Sequence, residues 1–404
     1  MMSATAAITV LESGQLADPL LALADRCVQC GLCLPSCPTY QLDRNEAESP
    51  RGRIALIRAY TDGALQPTPA SDAHLDHCLG CRRCEAVCPA GVQYGELLVE
   101  ARRRQRERRP SGLRQRTIEW LAVRPALLDR LLGAYRALYL LLPKLLPRPP
   151  QKIRIDSVQS TGDSERCTSI AHASTAHTST VPLMTSGVAL FRGCIARRYD
   201  SHTHAALATL CRAAGIAMTV PEGQTCCGAL HAHAGAGDVA AELARRNRAA
   251  FATGVPVLSS ATGCHASLAD ALDGHAPVRD ASALLLQHAD ALRFRPVKMR
   301  VALHIPCTQR AVVKSDGALR ALLARIPGLD LVELPDTGCC GAAGSYMFDQ
   351  PERASALRQP LLDALAASGA TLLLSANIGC RLHLAMATSI PVRHPLEFLA
   401  EHLA

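Results

Sequence analysis

Cys27-Val28-Gln29-Cys30-Gly31-Leu32-Cys33-Leu34-Pro35-Ser36-Cys37-Pro38 decides the reading of this 404-residue chain, because it returns as Cys78-Leu79-Gly80-Cys81-Arg82-Arg83-Cys84-Glu85-Ala86-Val87-Cys88-Pro89. Each copy has the spacing in which three thiolates wrap one corner of an iron–sulfur cubane while the fourth reaches across to a second cluster. Two copies therefore imply two [4Fe–4S] clusters with crossed ligation. Cys27, Cys30, Cys33 and Cys88 are expected to hold the first, and Cys78, Cys81, Cys84 and Cys37 the second. Zinc is the competing reading. A zinc site closes with four ligands, however, and leaves no use for the remaining cysteines and the trailing proline.

The chain holds 18 cysteines. Disulfides would need an oxidising compartment, yet no Lys or Arg precedes Arg26 and no signal-like apolar segment follows a charged start. The cysteines are thus expected to be metal ligands in a reducing cytoplasm. The net charge of +8 sits in one place. Residues 101–154 carry 15 Lys or Arg against Glu107, Glu119 and Asp129, so the rest of the chain is acidic. Aromatic residues are only 3% and no helix-turn-helix or stacking pattern is present, which argues against nucleic acid as the partner. An anionic membrane surface or an acidic partner protein fits the basic segment better.

Leu20, Leu21 and Leu23 read as a helix leading into the first cysteine run, and Ser49-Pro50-Arg51-Gly52-Arg53-Ile54 opens another between the two runs. Residues 1–110 are expected to form an all-α dicluster ferredoxin-like domain, closed by a helix over Gly91–Arg109. Residues 111–155 form a basic amphipathic connector. Its apolar run is too short for the about 20 residues that a membrane span needs, so residues 113–147 either lie on a membrane or pack against protein. Residues 156–187 are rich in Ser and Thr and poor in large apolar side chains, the composition of a disordered linker, with Cys167 a plain thiol inside it.

Beyond Gly187 short apolar strands alternate with Ala- and Leu-rich helices, and the pattern occurs twice, over 188–295 and 296–404. The offset is 113 residues at Cys194/Cys307 and at the pairs Cys226-Cys227/Cys339-Cys340, and 116 at Cys264/Cys380. This is an internal duplication of an α/β unit with mostly parallel strands. All eight cysteines are expected at strand ends or in glycine-containing loops. Four per copy suffice for a further iron–sulfur cluster; the alternatives are a redox-active thiol pair, zinc, or buried small hydrophobes. His231, His233, His265, His304 and His383 lie near these cysteines as second-tier ligands or proton donors.

The two cysteine runs, Ser49-Pro50-Arg51-Gly52-Arg53-Ile54, the two Cys-Cys-Gly modules at 226–228 and 339–341, and Ser375-Ala376-Asn377-Ile378-Gly379-Cys380 resemble the iron–sulfur subunits of glycolate oxidase, also called glycolate dehydrogenase. More widely the chain is similar to the iron–sulfur subunits of lactate-utilisation, anaerobic glycerol-3-phosphate dehydrogenase and heterodisulfide reductase systems. The fullest form of the Cys-Cys-Gly domain ends in a Cys-x-x-Cys pair. Here Ser267 and His383 stand at the second position, so a five-cysteine cluster does not carry over.

The resemblance implies a complex in which a partner flavin subunit with FAD oxidises glycolate to glyoxylate. This chain, with a further subunit, would pass the electrons to a quinone or other membrane acceptor at the cytoplasmic face of the inner membrane. No G-x-G-x-x-G follows a strand here, so no flavin or nicotinamide site is expected in this chain. The rival readings are a self-contained thiol reductase using Cys226-Cys227 or Cys339-Cys340, and a scaffold that uses clusters only to fold.

Overall fold

A computed structural model describes residues 18–141 and 187–404. The first 17 residues, the end of the connector (142–155), the Ser/Thr-rich linker up to Ser186 and Cys167 lie outside the described residues.

The amino-terminal part is built from helices α1 (Pro19–Ala24), α2 (Pro38–Asp43), α3 (Pro50–Thr61), α4 (Pro69–Asp76), α5 (Arg83–Ala86) and α6 (Tyr94–Arg108). Prolines open α1, α2, α3 and α4, where their missing N–H is not needed and their fixed φ suits the first turn. Asp18, Ser49 and Thr68 cap α1, α3 and α4 through side-chain oxygens. Leu20, Ile54, Ile57, Leu75, Leu97 and Leu98 make a small core with Tyr94 and Cys84. Gly52 is required by close approach: a Cβ there would lie 2.0 Å from the Glu46 carbonyl oxygen. Helix α4 was not expected from the sequence pattern.

The connector is two helices, α7 (Leu113–Ala122) and α8 (Pro125–Leu141), rather than one amphipathic segment. Pro125 starts a new helix because its ring cannot continue the preceding one. Leu131, Ala134, Leu138 and Leu141 fall on one exposed stripe of α8. Among the described residues no helix is long and apolar enough to cross a membrane.

The first repeat contains β1 (Val188–Phe191), α9 (Ala196–Tyr199), α10 (Ser201–Ala213), β2 (Met218–Thr219), α11 (Ala229–His233), α12 (Gly237–Ala250), β3 (Val257–Ser259), α13 (Thr262–Ala271), β4 (Val278–Asp280) and α14 (Ala281–Gln287). The second contains β5 (Met299–His304), α15 (Asp316–Leu323), β6 (Leu329–Glu333), α16 (Tyr346–Asp349), α17 (Pro351–Ser368), β7 (Leu372–Ser375), α18 (Ile378–Ala385), β8 (Val392–Arg393) and α19 (Pro395–Glu401). The sheets run β2-β1-β3-β4 and β6-β5-β7-β8, with every pairing parallel. Helices cover both faces of such sheets, which is why β1 and β7 are buried at all four positions and read as unbroken apolar runs. Leu207 and Leu210 of α10, Leu284 and Leu285 of α14, Leu319 and Leu322 of α15, and Leu396 and Phe398 of α19 merge the two repeats into one core.

Candidate metal centres

Cys27, Cys30 and Cys33, on the loop between α1 and α2, face Cys88 across one cavity that Ile54, Cys84, Val92 and Tyr94 also line. The loop is held open by Gln29 and Gly31, both at positive φ, and by Arg51, which donates to the Gln29 carbonyl at 3.0 Å while paired with Glu46 at 2.6 Å. Burial pushes the Cys33 thiol up. One wall reaches solvent, where Val28 is 68% and Leu32 57% exposed.

Cys37, Cys78, Cys81 and Cys84 form a second, deeper group. Burial pushes the Cys84 thiol up, and its neighbours Cys81, Cys78 and Cys37 push it the same way; Cys81 shifts likewise. Thiols crowded together in a dry site resist ionising unless a metal supplies the compensating charge, so the all-sulfur donor sets suit iron–sulfur clusters. Tyr94 lines the first cavity and its hydroxyl donates to Cys78 Sγ at 3.6 Å, so one side chain touches both groups. Beneath the second group lies Arg53, fully buried, which donates to the Glu48 carboxylate (2.6 Å), the Glu48 carbonyl (2.5 Å) and the His74 carbonyl (2.6 Å).

Burial raises the Glu48 carboxyl, but hydrogen bonds from His77 and His74 and the Arg53 charge outweigh it and hold the group down to about 2. Glu48 Oε1 lies 2.6 Å from His74 Nδ1 and 2.7 Å from His77 Nδ1, a convergence of donors able to take a metal ion. Arg53 and Arg353 already supply positive charge to the same carboxylate, so we read it as a charge nest that fixes the loop under Cys37.

In each repeat the four cysteines lie side by side in the order Cys194, Cys226, Cys227, Cys264, and Cys307, Cys339, Cys340, Cys380, each thiol shifting the ionisation of the next. The glycine after each pair has a cause. Gly341 has φ +85°, and a Cβ there would lie 2.7 Å from the Ala354 carbonyl; Gly228 has φ +86° in the matching turn. Cys264 and Cys380 follow the ends of β3 and β7, in the first turns of α13 and α18, which begin at Thr262 and Ile378. Asn377 Nδ2 donates to Cys380 Sγ at 3.3 Å, and its Oδ1 accepts from the Gly263 N–H at 3.3 Å, tying the two groups together.

Three of the histidines hold one ring nitrogen elsewhere, His304 Nδ1 on Ser375 Oγ (3.0 Å), His231 Nε2 on the Glu119 carbonyl (3.2 Å) and His383 Nε2 on the Ala354 carbonyl (3.2 Å), while His231 Nδ1 is buried without a partner. His233 packs over Gly80, and His265 is half-buried with no partner for Nδ1.

The two repeats stand differently toward the dicluster part. Cys81 and Leu79 pack with Cys307, Cys339 and Tyr346 of the second repeat in one apolar cluster. The cysteines of the first repeat pack instead against Val123, at the end of α7.

Residues 23–92 match the 4Fe-4S dicluster domain, and residues 188–269 and 301–385 each match the Cysteine-rich domain. The glycolate oxidase iron–sulfur subunit of Escherichia coli is 32% identical over 93% of this chain and 93% of its own length. A probable glycolate oxidase iron–sulfur subunit of Bacillus subtilis is 34% identical over 89% of this chain and 87% of its own. The chain belongs to the family of glycolate oxidase iron–sulfur subunits. A component of the anaerobic glycerol-3-phosphate dehydrogenase of Escherichia coli is more distant, 28% identical over 54% of this chain and 59% of its own length. Membership brings the dicluster domain with it, so the cofactors are iron–sulfur clusters and the zinc reading of the two runs falls.

Sequence reasoning did not single out Tyr94, Arg53, Glu48 or Asn377 as site residues. Arg53 and Asn377 lay in quoted motifs, but nothing local says that the first would end under a cysteine group and the second on Cys380. Arg82 and Arg83, which lie between ligands of the second run, are each neutralised: Arg82 by Glu85 at 2.8 Å and Arg83 by Asp336 at 2.8 Å.

Proposed function

We propose that this chain is the electron-transfer subunit of a membrane-associated complex that oxidises glycolate to glyoxylate, working beside a flavin subunit that carries FAD and at least one further subunit. The observation that carries this reading is the near full-length similarity to glycolate oxidase iron–sulfur subunits, combined with eight dicluster cysteines gathered into two groups. Within an all-helical domain spanning 1–110, Cys27, Cys30, Cys33 and Cys88 hold one [4Fe–4S] cluster, and Cys37, Cys78, Cys81 and Cys84 the other. Bound there, the clusters supply one-electron relay between the flavin subunit and a quinone or other membrane acceptor.

The residues of the chain set the path. Val28 and Leu32 present the first group to a partner, Tyr94 bridges to the second group, and Leu79 and Cys81 deliver it dry against Cys307 and Cys339. The exposed stripe of α8, flanked by Arg130, lies on the cytoplasmic face of the inner membrane. Repeats 188–295 and 296–404 form the acceptor-side half.

The test is anaerobic co-purification with the partner subunits, followed by EPR on adding glycolate, lactate or glycerol 3-phosphate. Reduction by glycolate first supports the reading; reduction only by another acid reassigns the substrate. Iron content separates the roles of the cysteine-rich half, with about eight irons per chain meaning cubanes alone and about twelve meaning one more cluster.

A further inference from the structure

The two rows of thiols occupy matching turns but not matching surroundings. Along the second row runs α17. Its Leu357 packs with Cys307 and Cys339, and its Leu361, one turn on, packs with Cys340 and Cys380. Arg358 stands between these leucines. Its Nη1 donates to the His383 carbonyl at 2.7 Å and lies 3.3 Å from His383 Nδ1. Its Nε is buried without an acceptor. Burial pushes the guanidinium down, and what opposes that shift is Cys340 rather than any carboxylate. Asn377, at the start of α18, adds an amide N–H that reaches Cys380 Sγ at 3.3 Å.

The first row lacks all three side chains. Ala240 crowds Gly228 as Ala354 crowds Gly341, and about one helical turn further on Ala244 stands where Arg358 does. Ala261 precedes α13 where Asn377 precedes α18, and Ser267 takes the place of His383. Arg245 and Arg246 of α12 are exposed and tied to Glu242. Cys194 and Cys264 are half-buried, whereas all four thiols of the second row are buried.

An arginine without a carboxylate beside a dry row of thiols is unfavourable unless the row itself carries negative charge, as metal-bound thiolates do. Among the described residues no three of these sulfurs lie within 4.8 Å of one another. A single zinc ion, with its sulfurs about 2.3 Å from the metal, would draw them closer, whereas a polynuclear cluster spans a wider gap. With Nδ1 on Arg358 and Nε2 on the Ala354 carbonyl, His383 has no nitrogen left for a metal and instead holds the arginine.

We infer that the second row alone holds an anionic iron–sulfur cluster, and that Arg358, positioned by His383, is its counter-charge. The thiols of the first row stay without metal and pack as small apolar groups near Val123. This goes beyond the electron-transfer reading and does not depend on it: metal content and potential are read without substrate, whereas that reading is judged by glycolate.

The test uses the whole complex, purified anaerobically, with iron, sulfide and zinc counted per chain and potentials followed by EPR during titration with dithionite. About twelve irons in the wild type, falling to about eight in C380S and unchanged in C264S, support the inference. R358Q is expected to shift the potential of the extra cluster downward, because the more negative reduced state loses its counter-charge, and R358K to restore it. Loss of the extra irons in R358Q and their return in R358K supports the same role. If C380S does not accumulate, C264S and the two arginine variants decide. About eight or about sixteen irons in the wild type, a zinc ion in place of the extra irons, loss of iron in C264S, or equal potentials in R358Q and wild type overturn it.

Discussion

Arg83 Nη1 lies 2.8 and 2.9 Å from the two carboxylate oxygens of Asp336, joining the second cysteine run to the loop that leads into Cys339-Cys340. Gly338 of that loop faces Pro38, which follows Cys37. The pair is part-buried, so it is worth more than a surface ion pair but less than a dry one, on the order of 1 kcal/mol. R83Q or D336N is expected to lower the melting temperature slightly and to speed hydrogen exchange in residues 336–340. The double charge reversal R83D/D336R recovers part of the loss in a mutant cycle.

Crossed ligation makes an unusual prediction. C88S, altered in the second run, is expected to remove the cluster grouped with Cys27, Cys30 and Cys33, while C37S, altered in the first run, removes the one grouped with Cys78. Each variant would retain about four of eight dicluster irons, and EPR would show which signal survives.

Y94F keeps the ring in its buried place and deletes only the hydroxyl that donates to Cys78 Sγ. Hydrogen bonds to cluster sulfur favour the more negative reduced form, so their loss lowers the potential. A redox titration followed by EPR is expected to show the second cluster shifted downward, with no change in iron content.

E48Q leaves Arg53 in a dry site without its counter-charge, and breaking a buried pair in this way costs about 3–5 kcal/mol. The expected result is a dicluster domain that unfolds at lower denaturant and loses iron on purification, whereas D43N, which pairs with Arg353 nearer solvent, has a smaller effect.

Burial lowers His204 and His304 from 6.5 to about 4. Below pH 6.5 the unfolded chain gains protons that the folded chain refuses, so stability is full above pH 6.5 and is lost as pH falls toward 4. Each tenfold loss of proton affinity on folding is worth at most about 1.4 kcal/mol. Urea unfolding across this window is expected to show that loss, and H204Q to flatten it relative to wild type. Equal slopes in the two proteins would contradict this origin.

The parts of the structure with a repeating local signal could be read in advance. The duplication was visible in cysteine offsets, and the strands in short apolar runs, because parallel sheets covered on both faces need uniformly apolar strands. Helix α4 escaped because Pro69-Ala70-Ser71-Asp72 carries no apolar stripe; its start depends on the reciprocal Thr68 and Ser71 cap. The break of the connector at Pro125 was written in the sequence but masked by apolar residues on both sides. The docking of Cys81 on Cys307, the burial of Arg53 on Glu48 and the pairing of Asp200 with Arg381 join elements that no local pattern links. No periodicity marks such contacts.

Duplication ordinarily leaves an organism with a spare. Here the thiols of one twin, Cys307 and Cys339, rest on Leu79 and Cys81 of the dicluster part, whereas the other twin meets that part through His233, over Gly80, and its thiols rest on Val123. The twins are thereby no longer interchangeable. A change at Cys307 or Cys339 is therefore felt directly at Cys81, whereas the same change at Cys194 or Cys226 is felt at Val123.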